Sequence, residues 1–191
     1  MVEDCLNCNL TQLSEEVLSN ITKTSDWVIT ENFQKLEIKK FTGVLTSIIE
    51  DLSSKHFTEF LKEKFNINDI ELDKSFDGGG LTFTKKGGFL RYHADFPYSD
   101  KVEKYRILNA ILYLNYEKIE GGNLHLIDND TKTVEEMVNP EMGRLVIFPT
   151  SKNTPHGVSV IKNGLRISLN AYYYSDEPLD DRFSPSRTMW L

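Results

Sequence analysis

From residue 76 to residue 175 the chain alternates short apolar-rich runs with turn signals, and this constrains the fold more than any other feature. The runs are LTFT, FLRYHADF, RILNAILYLNYE, NLHLID, GRLVIFP, HGVSVI and LRISLNAYYYS; Lys-Lys-Gly-Gly, Glu-Gly-Gly and Lys-Asn-Gly fall between them. Runs of this length, bounded by glycine and rich in β-branched and aromatic residues, read as strands. Many short strands joined by tight turns suggest a closed β architecture, sandwich or barrel. Lys-Asn-Gly at 162–164 is a tight-turn signal ahead of the last long strand.

The first 75 residues differ. TQLSEEVLSNI (11–21) and the stretch 31–65 carry apolar residues at helical spacings, with Val44, Leu45, Ile48, Ile49 and Leu52 along one stripe, followed by Phe57, Phe60, Leu61 and Phe65. Gly43 weakens any single continuous helix. The expectation is a mainly β chain with N-terminal helices: 1–75 helical support, 76–175 a β core and 176–191 an extension docked through Phe183 and Trp190. A length of 191 residues favours one domain.

A net charge of −7 argues against a general nucleic-acid binder, which needs a basic face to displace counterions from phosphates. No apolar run reaches the length of a membrane span. MVEDCLNCNL lacks the basic region and apolar stretch of a secretion signal, so the default expectation is the cytoplasm. Cys5 and Cys8 form the sole CxxC. A zinc site would want a second pair, so they read as two reduced thiols.

His93-Ala94-Asp95 is an HxD within FLRYHADF. On a strand, side chains at i and i+2 share a face, so the two would project together. A second histidine facing them would complete a two-histidine, one-carboxylate set of the kind that binds non-haem iron with positions left open. The candidates are His56, on an expected helix; His125, alternating with Leu124 and Leu126; and His156, where Pro155 and Gly157 make an irregular lead into a strand. The last is best placed to aim one ligand at a site built on another strand. In LRISLNAYYY, Arg166, Ser168, Asn170 and Tyr172 share one strand face; Leu165, Ile167, Leu169 and Ala171 share the other. The apolar face is core. Arg166 is either a solvated strand residue or a fork for a carboxylate, with the Ser168 hydroxyl adding a hydrogen bond.

The order His93-x-Asp95, His156, Arg166-x-Ser168 resembles that of the Fe(II)/2-oxoglutarate-dependent dioxygenases, and within them the prolyl-4-hydroxylase-like branch. GGFLRYHADF, RILNAILYLN, EGGNLHLID, GRLVIFPTSKNTPHGV and GLRISLNAYYYS are each similar to the segments expected in that order, over about residues 76–175. The resemblance implies a double-stranded β-helix, a cupin-like jelly roll with helices packed on one sheet. It implies that His93, Asp95 and His156 bind Fe(II), and that Arg166, assisted by Ser168, pairs with the distal carboxylate of 2-oxoglutarate, with O2 as the other cosubstrate. Tyr113 matches a tyrosine that reaches the same carboxylate in some relatives; read alone, it fits a core aromatic equally well. Some relatives carry a tyrosine about ten residues before the HxD, where Phe83 falls here, and a phenylalanine donates no hydrogen bond. Asp95 favours hydroxylation over halogenation, because related halogenases replace that carboxylate with a small residue.

The implied reaction decarboxylates 2-oxoglutarate to succinate and CO2 and hydroxylates a substrate C–H bond. The substrate would be a prolyl or other residue in a peptide, or a free amino acid or similar small metabolite. Asn109 and Asn170 could line the cavity; Arg91, Phe96 and Tyr98 lie near it, and Tyr92 should face the other side of its strand. Two other readings stand beside this one: a metal-binding jelly roll that works without 2-oxoglutarate, which would have no use for Arg166 with Ser168, and a binding module that has lost activity, which would have lost a ligand or the arginine.

Overall fold

The computed structural model describes residues 6, 8–22, 28–179 and 188–191; Cys5 and Phe183 lie outside them. The chain begins with helix α1 (Leu10–Thr22), strands β1 (Val28–Ile29) and β2 (Gln34–Ile38), and helices α2 (Gly43–Leu52) and α3 (Lys55–Phe65). Then follow β3 (Glu71–Leu72), β4 (Gly80–Lys85), β5 (Leu90–Ala94), β6 (Tyr98–Ser99), β7 (Lys104–Tyr113), β8 (Glu120–Gly121), β9 (Leu124–Ile127) and β10 (Val134–Val138). The last strands are β11 (Leu145–Pro149), β12 (His156–Val158), β13 (Ile161–Asn163), β14 (Leu165–Ser175) and β15 (Met189–Trp190).

A major sheet runs β1-β2-β4-β14-β7-β11, and a minor sheet runs β10-β9-β12-β5-β15. Alternation sends successive side chains of the major sheet to opposite faces. Leu81, Phe83, Ile167, Leu169 and Ala171 face the helices and pack with Leu13, Val17, Leu45, Ile48 and Leu61. From the other face, Ile111, Tyr113, Val146 and Phe148 meet Leu124 and Val138 of the minor sheet. The strands thus form two facing antiparallel sheets with helices covering one of them, the double-stranded β-helix expected above.

Gly43 separates helical segments by starting one. Its φ of +59° suits glycine, and a Cβ there would collide with the Glu16 carboxylate. That carboxylate accepts from the Val44 and Leu45 amides, at 3.1 and 3.3 Å, and so caps α2 from a neighbouring helix.

The expectation of helix across residues 31–41 is corrected. Gln34–Ile38 is a strand that pairs with β4, Leu36 opposite Phe83. Leu36 is the one fully buried side chain of the five, and Lys35 and Glu37 form an ion pair on the other face. Helix formers at these positions are overridden because the edge of β4 offers backbone partners and a core position for Leu36.

Gly157 lies between β5 and β9 with no room for a side chain. An added Cβ would sit 2.6 Å from Tyr92 Cδ1 and 2.7 Å from the Leu90 carbonyl oxygen. Gly157→Ala should therefore separate β12 from β5 and destabilise the fold by about 1–3 kcal/mol. Denaturant unfolding checks this; an unchanged midpoint would contradict the packing described.

Candidate active site

β5 and β12 run antiparallel with His156 opposite His93, and the two rings lie 4.4 Å apart, centroid to centroid. Asp95 follows directly on β5. Its Oδ1 is 3.4 Å from His93 Nε2 and its Oδ2 3.7 Å from His156 Nε2. One ligand atom from each of the three buried residues lies within 4.8 Å of the others. The remaining ring nitrogens are engaged: His93 Nδ1 with the Arg91 carbonyl at 2.8 Å, and His156 Nδ1 with the Thr154 carbonyl at 3.2 Å. A carbonyl only accepts, so each Nδ1 holds a proton, and a neutral ring then turns its Nε2 lone pair toward the centre. Asn109 Nδ2 donates to Asp95 Oδ2 at 3.3 Å and steadies the carboxylate.

Burial alone would raise the Asp95 carboxyl, but His156, His93 and Arg106 outweigh it and hold the group well below the usual carboxylate range. Burial lowers His156 from the ordinary 6.5 to about 4, against the pull of Asp95. The apoprotein near neutrality therefore offers an ionised carboxylate beside a neutral His156 imidazole, the forms that bind a metal. Stability should follow. As pH falls from 6.5 toward 4, the unfolded chain takes up a proton that the folded His156 refuses, so the metal-free protein loses stability across that window. The depressed Asp95 carboxyl acts in the same direction lower down: its stabilisation is present above 3.8 and is lost as pH falls below it. His156 can contribute a slope of at most about 1.4 kcal/mol per pH unit. Thermal unfolding of apoprotein against pH checks this, and His156→Leu should flatten part of the decline.

β14 carries the second half of the site. Arg166 is 4% exposed, so the solvated alternative for it is excluded. Its Nε donates to the Gly122 carbonyl at 3.1 Å, Nη1 to Ser168 Oγ at 3.0 Å and Nη2 to the Tyr113 hydroxyl at 3.4 Å. Each of these acceptors is neutral, so among the described residues the buried positive charge is hydrogen-bonded to dipoles, an arrangement that favours an anionic ligand. The Tyr113 ring belongs to the inter-sheet core, and its hydroxyl accepts from Arg166. Ser168 Oγ passes the network to Asn170, which donates to Thr82 Oγ1 at 2.8 Å.

One cavity of about 180 Å³ is lined by His93, Asp95 and His156 and also by Arg166. Asn109 and Asn170 line it as expected. Phe83 faces the helices, so the missing tyrosine is no loss of a cavity hydroxyl at that position; Thr82 and Thr84, on the opposite face of β4, line the cavity. His125 points elsewhere, with Nδ1 2.8 Å from the Tyr92 hydroxyl, which confirms that Tyr92 faces away from His93. His56 is exposed on α3. Tyr98 stacks edge-on against Tyr105, and Arg91 is exposed.

Arg106 is a lining residue that the sequence reading missed. It is 2% exposed, with its guanidinium 3.7 Å from the centroids of both the Phe96 and Tyr172 rings. It donates to the Tyr174 hydroxyl and the Asp77 carbonyl. The cavity thus holds two buried arginines, Arg106 from β7 and Arg166 from β14, both strands of the major sheet. The signal was available as an arginine opening the apolar run RILNAILYLN.

Residues 72–174 match the family model of the 2OG-Fe(II) oxygenase superfamily. Over 78 residues the chain is 36% identical to prolyl 3-hydroxylase 1 of Rattus norvegicus and of Homo sapiens. That stretch is 41% of this chain but 11% and 10% of those proteins, so the match spans about a tenth of the curated relatives' length. Among solved structures, a Pseudomonas putida prolyl-4-hydroxylase superposes with a TM-score of 0.66 at 21% identity, covering 91% of this chain and 90% of that one. A prolyl hydroxylase from Trichoplax adhaerens, in complex with a hypoxia inducible factor oxygen degradation domain peptide fragment, gives 0.62 at 18% identity, covering 91% and 81%. The viral collagen prolyl hydroxylase from Paramecium Bursaria Chlorella virus-1 gives 0.61 at 18%, covering 91% and 94%. At these identities the structural likeness is one of fold.

Proposed function

The chain belongs to the 2OG-Fe(II) oxygenase superfamily, and on that premise we propose that it hydroxylates a prolyl residue within a peptide. In this reading His93, Asp95 and His156 hold Fe(II), and Arg166 anchors 2-oxoglutarate. The observation that carries it is the single cavity shared by a buried His-Asp-His cluster and a buried guanidinium whose own partners are neutral.

When bound, Fe(II), 2-oxoglutarate and O2 supply the oxidation: 2-oxoglutarate leaves as succinate and CO2, and one oxygen atom enters the substrate C–H bond. The protein's own residues do the rest. The carbonyls of Arg91 and Thr154 orient the imidazoles, and Asn109 fixes the carboxylate. Arg166, Ser168 and Tyr113 form a forked donor set for a carboxylate, so the cosubstrate enters in one register. Asp95 fills the position that a halide would need, which favours hydroxylation. Arg106, stacked between the Phe96 and Tyr172 rings, lines the same cavity, and in this reading its charge would meet a peptide carbonyl. In this reading the chain is one catalytic domain: 1–75 as support, 76–175 as the jelly-roll core and 176–191 as a C-terminal extension.

The test is a mass screen. Proline-containing peptides and free amino acids are incubated with the protein, Fe(II), 2-oxoglutarate and oxygen. A gain of one oxygen on a prolyl residue is expected; oxygen gain confined to free amino acids would overturn the peptide assignment while leaving the reaction class intact.

A further inference from the structure

The outer edge of β5, the strand that carries His93, is covered by two segments from opposite ends of the sequence. At one end Phe33 bridges to Leu90, and the Arg91 amide donates to the Asn32 carbonyl at 2.8 Å. At the other end β15 pairs antiparallel with β5, placing Trp190 opposite His93 and Met189 opposite Ala94. The Leu191 amide donates to the Tyr92 carbonyl at 2.8 Å, and Arg91 Nη2 donates to the Leu191 carbonyl at 3.1 Å. Each segment brings one ring to the same place. The Trp190 ring lies 5.0 Å from the His93 ring and is stacked with Phe33 at 6.5 Å. Both line the cavity, yet Trp190 is 38% exposed, so its ring runs from the His93 side of the cavity out to solvent. Thr82, Thr84, Arg106, Asn109, Arg166 and Asn170 of β4, β7 and β14 give the cavity a polar wall, and Gln34, Lys35 and Thr188 add polar groups near the two rings. Beside His93 the lining presents the Trp190 ring, backed by Phe33, over which Lys35 Nζ lies at 4.9 Å.

We propose that Trp190 is a specificity-determining residue: its ring, backed by Phe33, walls the mouth of the pocket beside His93 and packs against the apolar group presented to the metal. This rests on the reading of His93 as an iron ligand. A wide aromatic face stabilises an apolar ring or aliphatic side chain by area and dispersion. Among the described residues Trp190 pairs with β5 and its ring meets His93 and Phe33, whereas Arg166 bonds Gly122, Ser168 and Tyr113, so Trp190 should act on the substrate and leave the cosubstrate end alone.

The experiment has two arms. The chain has two tryptophans, so Trp27→Phe leaves Trp190 as the sole indole emitter. Co(II), standing in for Fe(II), is titrated into this variant while metal binding is followed separately by calorimetry. Emission should fall in step with binding; bound metal with unchanged emission would overturn the placement of the wall, and absence of metal binding would overturn the iron reading and the wall with it. In the second arm, succinate formation with Fe(II) and 2-oxoglutarate is stimulated with poly(L-proline). Trp190→Ala should raise the half-stimulating concentration about tenfold, with the KM for 2-oxoglutarate unchanged, and Trp190→Phe should restore most of the loss. An unchanged half-stimulating concentration in Trp190→Ala, or a parallel rise in the 2-oxoglutarate KM, would overturn the proposal. If poly(L-proline) fails to stimulate the unsubstituted protein, the same comparison is made with the peptide that gains oxygen in the mass screen; no oxygen gain on any prolyl residue overturns the prolyl reading, and the emission arm still decides the wall.

Discussion

Asp95→Ala is expected to abolish Fe(II) binding and to lower 2-oxoglutarate turnover by about a thousandfold or more, equivalent to ~4 kcal/mol in the barrier. Asp95 is the one anionic member of the cluster, and it lies between the two imidazoles, 3.4 and 3.7 Å from their Nε2 atoms. Two neutral imidazoles in a buried site compensate a divalent cation poorly for its lost hydration. The substitution also leaves the Asn109 amide without its carboxylate acceptor. Equilibrium dialysis against Fe(II) under anaerobic conditions measures the first effect and succinate formation the second. A folded Asp95→Ala protein that retains iron and turnover would exclude this cluster as the metal centre.

Arg166→Ala is expected to separate the two halves of the site. Iron binding should persist, because none of the groups that orient the triad touches the guanidinium. The affinity for 2-oxoglutarate should fall by about a hundredfold or more, since truncating one partner of a buried charge pair costs about 2–5 kcal/mol. Arg166→Lys should recover only part of this: an ammonium is a point charge, whereas the fork spreads its donors between Ser168 and Tyr113. Calorimetric titration of 2-oxoglutarate into the metal-loaded variants reads the effect directly. Equal loss of metal and cosubstrate would point to a disturbed fold.

What the sequence made legible follows from regularity. β14 alternates without interruption opposite β4, so the assignment of Arg166, Ser168 and Asn170 to one face and Ile167, Leu169 and Ala171 to the other needed only a period of two. His93 and Asp95 share a face by the same rule, and His156 is carried opposite His93 by strand pairing. Arg106 was hidden because β7 does not keep its period. Its pairing with β14 shifts between Tyr173 and Tyr174, and Ile107 and Leu108 both pack toward the helices. Counting back from Tyr113 by twos would send Arg106 into the helical core; the irregularity turns it into the cavity instead. Gln34–Ile38 was hidden for another reason. Its residues favour a helix locally, and only the distant edge of β4 makes a strand of them. The contact of Trp190 with Phe33 and His93 joins residues far apart in the chain, and no local spacing could signal it.

In the proposed function one cavity holds iron on His93, Asp95 and His156 and 2-oxoglutarate on Arg166. The most direct test is succinate formation by anaerobically purified protein given Fe(II), 2-oxoglutarate and then oxygen. Succinate is expected even without the prime substrate, dependent on all three additions, absent in Asp95→Ala and displaced to high 2-oxoglutarate concentrations in Arg166→Ala. Folded protein that binds iron yet neither binds 2-oxoglutarate nor forms succinate would contradict it.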